Sequence, residues 1–171
     1  IAESFYRSFD LPIVTARPFN TYGPRQSLRA VIPSIIMQLI TKESGEILEI
    51  GDTSPLRDFN YVSDTVAGFI SLAESENVNG NVYNIGSGCE VSINNVIEKL
   101  FDISNKTLKL KVDNKRVRPS KSEVNRLCCN SELINSTIGW HSKINIDDGL
   151  KLTYDWFREN KNQYNNNTFL I

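Results

Sequence analysis

Apolar residues recur at intervals of three and four along two stretches of the chain, which is the spacing of one face of an α-helix. The first stretch begins near Val31, with Pro33 in its first turn, where the missing N–H of proline does no harm. The second follows Ser92, a favourable N-cap residue. The positions predicted to be buried are Ile32, Ile35, Ile36, Leu39 and Ile40 in the first helix, and Ile93, Val96, Ile97, Leu100 and Phe101 in the second. Both helices should therefore pack against a core.

Four other segments also have helical features. Residues 1–9 carry apolar side chains at positions 1, 5 and 9. A helix that starts at Ser63 or Asp64 is predicted to bury a stripe formed by Val66, Phe69, Ile70 and Ala73. A short helix should end at Gly139, a suitable C-cap, and a last helix should run from about Asp147 to Glu159 with Leu150, Tyr154 and Phe157 inward.

Short apolar runs bounded by turn residues predict the strands. These runs are Ile13–Arg17, Ile47–Ile50 and Val82–Ile85. Leu108–Val112 alternates between apolar and charged residues, as a half-buried strand does. Strands and helices thus alternate, although irregularly, which indicates an α/β chain.

Composition limits the function classes. The chain has 171 residues, 40% of them hydrophobic, which fits one domain with a real core. A net charge of −1 gives no bulk attraction to nucleic acid or anionic lipid. Cys89, Cys128 and Cys129 have no metal-binding spacing, so no metal is expected and a reducing, cytoplasmic location is predicted. We find no signal peptide pattern and no membrane-spanning apolar run.

The amino-terminal residues look like the end of a helix. The chain begins at Ile1, its only methionine is Met37, and no N-cap residue precedes the first apolar positions. This pattern predicts a piece cut from a longer protein. The alternative is a mature terminus left by processing.

Two stretches carry the candidate chemistry. Arg17-Pro18-Phe19-Asn20-Thr21-Tyr22-Gly23-Pro24 closes a predicted strand, and ligands of α/β proteins bind at the carboxyl ends of strands. The second stretch is Arg57-Asp58-Phe59-Asn60-Tyr61-Val62-Ser63-Asp64. Both resemble the motifs of the extended short-chain dehydrogenases/reductases that modify nucleotide sugars, the NAD-dependent epimerases and dehydratases. The order and spacing of the motifs match from Ile1 to about Glu159.

The resemblance implies the carboxyl-terminal portion of an extended Rossmann-type fold. The chain would hold the last strands of the parallel sheet and a small mixed α/β substrate-binding lobe. Residues 1–28 would be the tail of the dinucleotide-binding domain, residues 29–160 the substrate lobe, and residues 161–171 a flexible tail.

The resemblance also implies roles for single residues. Arg57 and Arg118 would contact the diphosphate of a nucleoside-diphosphate sugar, and a guanidinium group suits that task because its planar fork donates two parallel hydrogen bonds. Two arginines and one amide around a single diphosphate could give about micromolar affinity or tighter. The remaining assignments are Asn20 to pyrophosphate or sugar, the backbone of Ala30 and Val31 to the base, Glu123 to the ribose, and the Pro18 backbone to the nicotinamide of NAD.

Two motifs of that family are absent from this sequence. No Gly-x-x-Gly-x-x-Gly is present, and Gly86-Ser87-Gly88 is too short to cradle a dinucleotide. The catalytic Tyr-x-x-x-Lys pair is also missing. We therefore expect no catalytic residue here, NAD held mainly by a missing amino-terminal half, and no activity from this chain alone.

The preferred hypothesis is the substrate-binding portion of an NAD-dependent nucleotide-sugar 4,6-dehydratase, which serves surface polysaccharide synthesis. The alternatives are a C4-epimerase, a binding module without catalysis, and a domain in which the arginines only form surface pairs. The intact enzyme would be a homodimer. This chain alone should self-associate, because its first strand exposes an apolar edge.

Several residues also have purely structural interpretations. Asp58 and Asp64 are expected to bond backbone N–H groups rather than to act as catalytic acids, and Asn20 could cap a turn. His141 should be structural, and Cys128-Cys129 should be buried packing. A basic cluster within residues 111–126 is diluted by Asp113 and Glu123, so it fits the edge of a phosphate pocket better than a nucleic-acid surface.

Overall fold

The computed structural model describes residues 1–116 and 124–164, which form an α/β arrangement. The helices are α1 (Ala2–Phe9), α2 (Val31–Thr41), α3 (Val62–Glu74), α4 (Ile93–Ser104), α5 (Glu132–Ile138) and α6 (Ile146–Asn160). The strands are β1 (Thr15–Pro18), β2 (Asn20–Tyr22), β3 (Ile47–Ile50), β4 (Leu56–Tyr61), β5 (Val82–Ile85), β6 (Glu90–Ser92), β7 (Lys109–Val112) and β8 (Arg126–Leu127). Asn114–Arg116 and Lys161–Gln163 are 3-10 turns.

The larger core lies where α2, α4 and α6 pack together. Both predicted amphipathic helices are confirmed, and Ser92 caps α4 by accepting a hydrogen bond from the Asn95 N–H at 3.1 Å. The predicted inward side chains of α6 are also buried. The fully buried residues of this core include Ile36, Leu39, Val96, Leu100, Leu150 and Phe157. This packing fixes the position at which α2 begins.

Three small sheets hold the strands. β1 pairs with β5, and β3 pairs with β7, both in parallel. β4 is the centre of the third sheet, where it runs parallel to β2 and β8 and antiparallel to β6. Since β2 and β4 run in the same direction, side chains near residues 20 and 57 come from neighbouring strands.

The strand boundaries differ from the prediction in several places. β1 begins at Thr15 rather than Ile13, and β2, β4 and β6 were not predicted as strands. The missed strands are short and rich in polar residues, and backbone pairing holds them in place. β7 exists, but Leu110 and Val112 are exposed, so the half-buried alternation was wrong.

The predicted inward stripe of α3 faces outward. Val66, Phe69 and Ile70 are 48%, 44% and 51% exposed, and Ala73 is exposed too. The helix begins at Val62 rather than at Ser63 or Asp64, with Tyr61 as its N-cap. It packs through Gly68 and Leu72 onto a second core that contains Ile85 and Trp140. The buried face therefore combines Leu72 with Gly68, where only a small residue leaves room for Ile85 and Trp140.

This outward apolar face supports the proposed self-association. A cluster of exposed apolar side chains on one helix favours association of folded molecules in water. We expect Phe69→Glu to lower the average mass in sedimentation toward the 19.4 kDa of one chain. Leu152→Glu is the control, because Leu152 on α6 is also about half exposed, at 49%. A native chain that sediments as a monomer at every concentration would contradict this expectation.

The first part of the predicted carboxyl-terminal tail packs against α6 through Tyr164. Tyr164 lies against Phe157, with ring centroids 5.0 Å apart. Residues 165–171, the rest of the predicted tail, lie outside the described residues. Among the helices that the structure describes, none has the length and apolar character needed to cross a membrane.

Candidate functional site

A cleft of about 700 Å³ opens between β2, the start of α2 and β4. The turn Asn114–Arg116 and the segment after β3 complete its walls. Ligand-binding pockets typically enclose about 300–1,000 Å³. The cleft is therefore large enough for a ligand such as a nucleotide.

Four of the predicted site residues line this cleft. Asn20 comes from β2, Arg57 from β4, Ala30 is the N-cap of α2, and Val31 is the first residue of that helix. Asn20 pairs with Phe59 in the parallel register of β2 and β4, two residues beyond Arg57. Residues that are far apart in the sequence thus meet at one site.

β4 presents Arg57 to the cleft by strand alternation. Arg57 and Phe59 line the cleft, whereas Asp58 and Asn60 are fully buried. The Arg57 guanidinium donates a hydrogen bond from Nη1 to the Leu56 carbonyl at 2.9 Å. The period of two along a strand therefore decides which of these polar residues can meet a ligand.

Asn20 joins β2 to β4 through its side chain. Its Nδ2 donates to the backbone carbonyl of Asp58 at 3.0 Å. This bond uses one of the two N–H donors of the amide. The orientation of the amide at the cleft is therefore set by β4.

The start of α2 offers backbone donors. Ala30 has extended dihedral angles, and its side chain makes no capping hydrogen bond. The N–H groups of Val31 and Ile32 lie in the first turn, where a helix supplies no carbonyl partner. Both residues line the cleft, so this wall combines N–H donors with the positive end of the helix dipole.

Three further basic residues in the cleft were not predicted as site residues. They are Arg29, Lys115 and Arg116. Arg116 donates from Nη1 to the Ser34 hydroxyl at 3.1 Å and from Nε to an Asp113 carboxylate oxygen at 3.3 Å. Lys115 and Arg116 belong to the basic cluster within residues 111–126, whereas Arg29 has no such signal in the sequence.

Gly51, which directly follows β3, allows the turn Asn114–Arg116 to lie close to the end of that strand. A Cβ atom at Gly51 would lie 2.7 Å from the Arg116 carbonyl oxygen, which is too close.

Basic side chains outnumber acidic ones in the cleft. Together with Arg57, the described lining has four basic side chains against two acidic ones, Asp52 and Asp113. Hydrogen bonds from the Ser54 backbone amide and hydroxyl lower the pKa of Asp52, so it stays charged. The excess of basic groups favours an anionic ligand.

The remaining predicted site residues lie elsewhere. Pro18 is exposed at the end of β1 and is not among the residues that line the cleft. Arg118 and Glu123 lie outside the described residues.

The structural interpretation of the two buried aspartates is confirmed. Asp58 accepts hydrogen bonds from the backbone of Ser87, Gly88 and Cys129. Asp64 accepts from the backbone of Lys143 and Ile144. Neither carboxylate is among the cleft-lining residues, so neither is placed to act on a ligand there.

The cysteines differ in exposure. Cys129 is buried, as predicted, whereas Cys128 and Cys89 are exposed, so the packing prediction was wrong for Cys128. Burial raises the pKa of the Cys129 thiol from the ordinary 9.0 to about 12. Within residues 1–116 and 124–164, no group of three or more His, Cys, Asp or Glu residues could hold a metal ion.

The shifted thiol predicts a loss of stability in alkali. Because the folded state keeps Cys129 protonated, its contribution is complete below pH 9 and declines as the pH rises toward 12. The free energy of unfolding, measured by urea titration at several pH values, should therefore fall less steeply for Cys129→Ala than for the native chain. Cys89→Ala is the control and should follow the native slope. Parallel curves for the native chain and Cys129→Ala would contradict this assignment.

The helix start in this cleft does not fit the pyrophosphate of NAD. A dinucleotide needs closely approaching glycine backbone at a helix start, and the helix start in this cleft has Pro33 and bulky apolar residues instead.

The sequence model of the family described as GDP-mannose 4,6-dehydratase matches residues 1–153. The chain belongs to this family. Its Rossmann-type α/β fold agrees with that of solved dehydratase and epimerase structures. The predicted resemblance to nucleotide-sugar dehydratases and epimerases is thus confirmed.

Named relatives show the range of reactions in this group of proteins. The chain is 34% identical to GDP-6-deoxy-D-mannose reductase of Pseudomonas aeruginosa, over 84% of this chain and 48% of the relative. It is 29% identical to human dTDP-D-glucose 4,6-dehydratase, over 96% of this chain and 47% of the relative.

A solved structure with bound ligands is also similar. It is UDP-glucuronic acid 4-epimerase from Bacillus cereus in complex with UDP-glucuronic acid and NAD, with a TM-score of 0.82 and 27% identity. The similarity covers 95% of this chain and 49% of that structure. The chain thus spans about half the length of each of these three proteins.

Proposed function

We propose that this chain binds a nucleoside-diphosphate sugar in the cleft, as the substrate-binding portion of an NAD-dependent nucleotide-sugar 4,6-dehydratase. The observation that carries the proposal is the presence of Asn20, Ala30, Val31 and Arg57 in one cleft of suitable size. The family resemblance of the sequence implies that all four contact a single ligand.

The chemistry of the walls suggests how such a ligand would lie. Arg57 would contact the diphosphate, because its guanidinium can donate paired hydrogen bonds to phosphate oxygens. Asn20 would contact the pyrophosphate or the sugar. The base would lie at the start of α2, against the backbone of Ala30 and Val31.

The remaining proposed roles rest on sequence. Arg118 would make the second diphosphate contact and Glu123 would bind the ribose. Pro18, at the end of β1, would meet the nicotinamide through its backbone. The division at residue 28 between dinucleotide-binding and substrate-binding parts also remains a prediction, as does the cytoplasmic location.

A dehydratase is preferred because the family that matches is named for that reaction and a human relative shares it. The second candidate is a C4-epimerase, which the likeness to UDP-glucuronic acid 4-epimerase favours. The residues of this chain would bind and orient the substrate.

Titration of the chain with UDP-glucose, dTDP-glucose and GDP-mannose tests the proposal. One of them should bind by calorimetry and raise the unfolding temperature. A ligand at 100 times its dissociation constant adds about 2.7 kcal/mol to the stability of the folded state. Glucose and mannose without a nucleotide are the controls and should produce no shift. If no nucleotide sugar produced heat or a thermal shift, the proposed function would be wrong for this chain.

A further inference from the structure

The Asp58 carboxylate is fully buried, although it lies between two residues that face the cleft. In the described part of the chain, four groups donate to it. The Ser87 N–H and hydroxyl lie 3.0 and 2.6 Å from Oδ1, and the Gly88 and Cys129 N–H groups lie 2.9 and 3.0 Å from Oδ2. All four donors are neutral, so hydrogen bonds hold this charge inside the protein.

These bonds connect three segments that meet beside the cleft. The Asp58 side chain holds the turn 86–88 and Cys129, two residues beyond β8, while its backbone carbonyl accepts a hydrogen bond from Asn20 on β2. Arg57 and Phe59, the neighbours of Asp58 on β4, both line the cleft. The Asp58 carboxylate thus anchors the strand that carries Arg57, and the Asp58 backbone holds the amide of Asn20.

The packing around the carboxylate is tight. A Cβ atom at Gly86 would lie 2.5 Å from the Cys129 Cβ and 3.2 Å from Asp58 Oδ2. A side chain at this position would separate the turn from Asp58. The sequence Gly86-Ser87-Gly88 is too short to bind a dinucleotide. Its lack of a side chain at Gly86 lets this turn lie directly against the Asp58 carboxylate.

We propose that Asp58 is a positioning residue, which holds Arg57 and Asn20 in the geometry that a diphosphate requires. This inference rests on the proposed function. Asp58 does not line the cleft, so it acts through its neighbours on β4 and β2. The negative charge matters because every described partner of the carboxylate is a donor.

Asp58→Asn tests the charge with almost no change in shape. The new amide directs an N–H₂ group at one pair of donors, which leaves those donors unsatisfied. Ser87→Ala is a milder variant that removes only the hydroxyl contact. It keeps the proposal testable if Asp58→Asn fails to fold.

Asp64 provides a matched control for a purely structural effect. It is also buried and accepts from the Ser142 hydroxyl and from two backbone N–H groups at 2.8–2.9 Å. These bonds tie α3 to residues 142–144, and Asp64 is not a cleft-lining residue. Asp64→Asn should therefore lower stability without moving Arg57.

The first readout needs no ligand. Hydrogen exchange of the 171-residue chain, followed by NMR, should show faster exchange of the Gly88 and Cys129 amides and of β4 in Asp58→Asn. The Asn20 side-chain amide signals should shift in the same variant. Asp64→Asn should leave these signals unchanged. Unchanged exchange at β4 and unchanged Asn20 signals in Asp58→Asn and Ser87→Ala would overturn the proposal.

The second readout is a double-mutant cycle on binding, with UDP-glucose, dTDP-glucose and GDP-mannose as probes. Asp58→Asn should weaken binding about tenfold in the native background and about twofold or less in Arg57→Gln, because the two residues act as a unit. Asp64→Asn should stay within about twofold in both backgrounds. Equal losses from Asp58→Asn with and without Arg57 would show a structural role only. If the native chain bound none of the probes, the proposed function would fail, and the exchange experiment would still decide the role of Asp58.

Discussion

Arg57→Gln should weaken the binding of a nucleoside-diphosphate sugar by about 10- to 100-fold. A hydrogen bond to a charged group contributes about 1.5–3 kcal/mol, and each 1.4 kcal/mol corresponds to about tenfold in affinity. Arg57 lines the cleft, and in the proposed binding mode its loss removes a direct contact to the phosphates. Calorimetry with the native chain and the variant measures the effect.

Arg57→Lys and Arg158→Gln sharpen this prediction. Lysine keeps the charge but loses the planar fork, so we expect an intermediate affinity. Arg158 lies on α6, is exposed and pairs with Asp155 at 3.0 Å, so Arg158→Gln should bind like the native chain. If the Arg57→Gln variant bound with native affinity, Arg57 would not be a residue that contacts the ligand. Equal losses from the two glutamine substitutions would indicate a general charge effect instead.

Leu150→Ala should have the largest effect on stability among the substitutions considered. Leu150 is 0% exposed in the core between α2, α4 and α6, and buried Leu→Ala substitutions cost about 2–5 kcal/mol. Leu152→Ala is the matched control, with the same change on the same helix at a side chain that is 49% exposed. It should remain within about 0.5 kcal/mol of the native chain. Urea titration gives both values.

The two leucine variants also test how the core supports the cleft. Although α6 packs against α2, which forms a wall of the cleft, Leu150 itself does not line the cleft. Leu150→Ala should therefore still bind ligand at temperatures where it is folded. Similar unfolding free energies for Leu150→Ala and Leu152→Ala would contradict the assigned core of α6.

The long helices were predictable because their own residues determine which face is buried. α2 and α4 have regular apolar spacing, and α4 also has the Ser92 cap. The strands β2, β4 and β6 were not predictable in this way. They are three to six residues long, contain polar residues, and owe their conformation to pairing with strands from distant parts of the chain.

α3 shows why an apolar stripe does not always mark the buried face. Its stripe of Val66, Phe69 and Ile70 was predicted to be inward, yet Gly68 and Leu72 make the close contacts. Close approach to Ile85 and Trp140 requires a small residue, which a count of hydrophobic positions ignores. Only the shape of the opposing surface reveals this requirement.

The candidate site was only partly predictable for a similar reason. Asn20 and Arg57 belong to recognisable motifs, and the cleft contains both. Arg29 and Arg116 reach the same cleft from a loop and a 3-10 turn without any motif of their own. The network around Asp58 depends on Ser87 and Cys129, which are 29 and 71 residues away in the sequence. Pairings over such distances follow from the fold.

The central claim is that one anionic ligand contacts residues from β2, the start of α2 and β4 together. Chemical-shift mapping by NMR, with UDP-glucose, dTDP-glucose or GDP-mannose added to the labelled chain, tests this most directly. We predict that the signals of Asn20, Val31, Ile32 and Arg57 shift together with one dissociation constant, while those of Leu72 and Ile134 in the second core stay still. Shifts centred on the second core, or separate titration curves for β2 and β4, would contradict the claim.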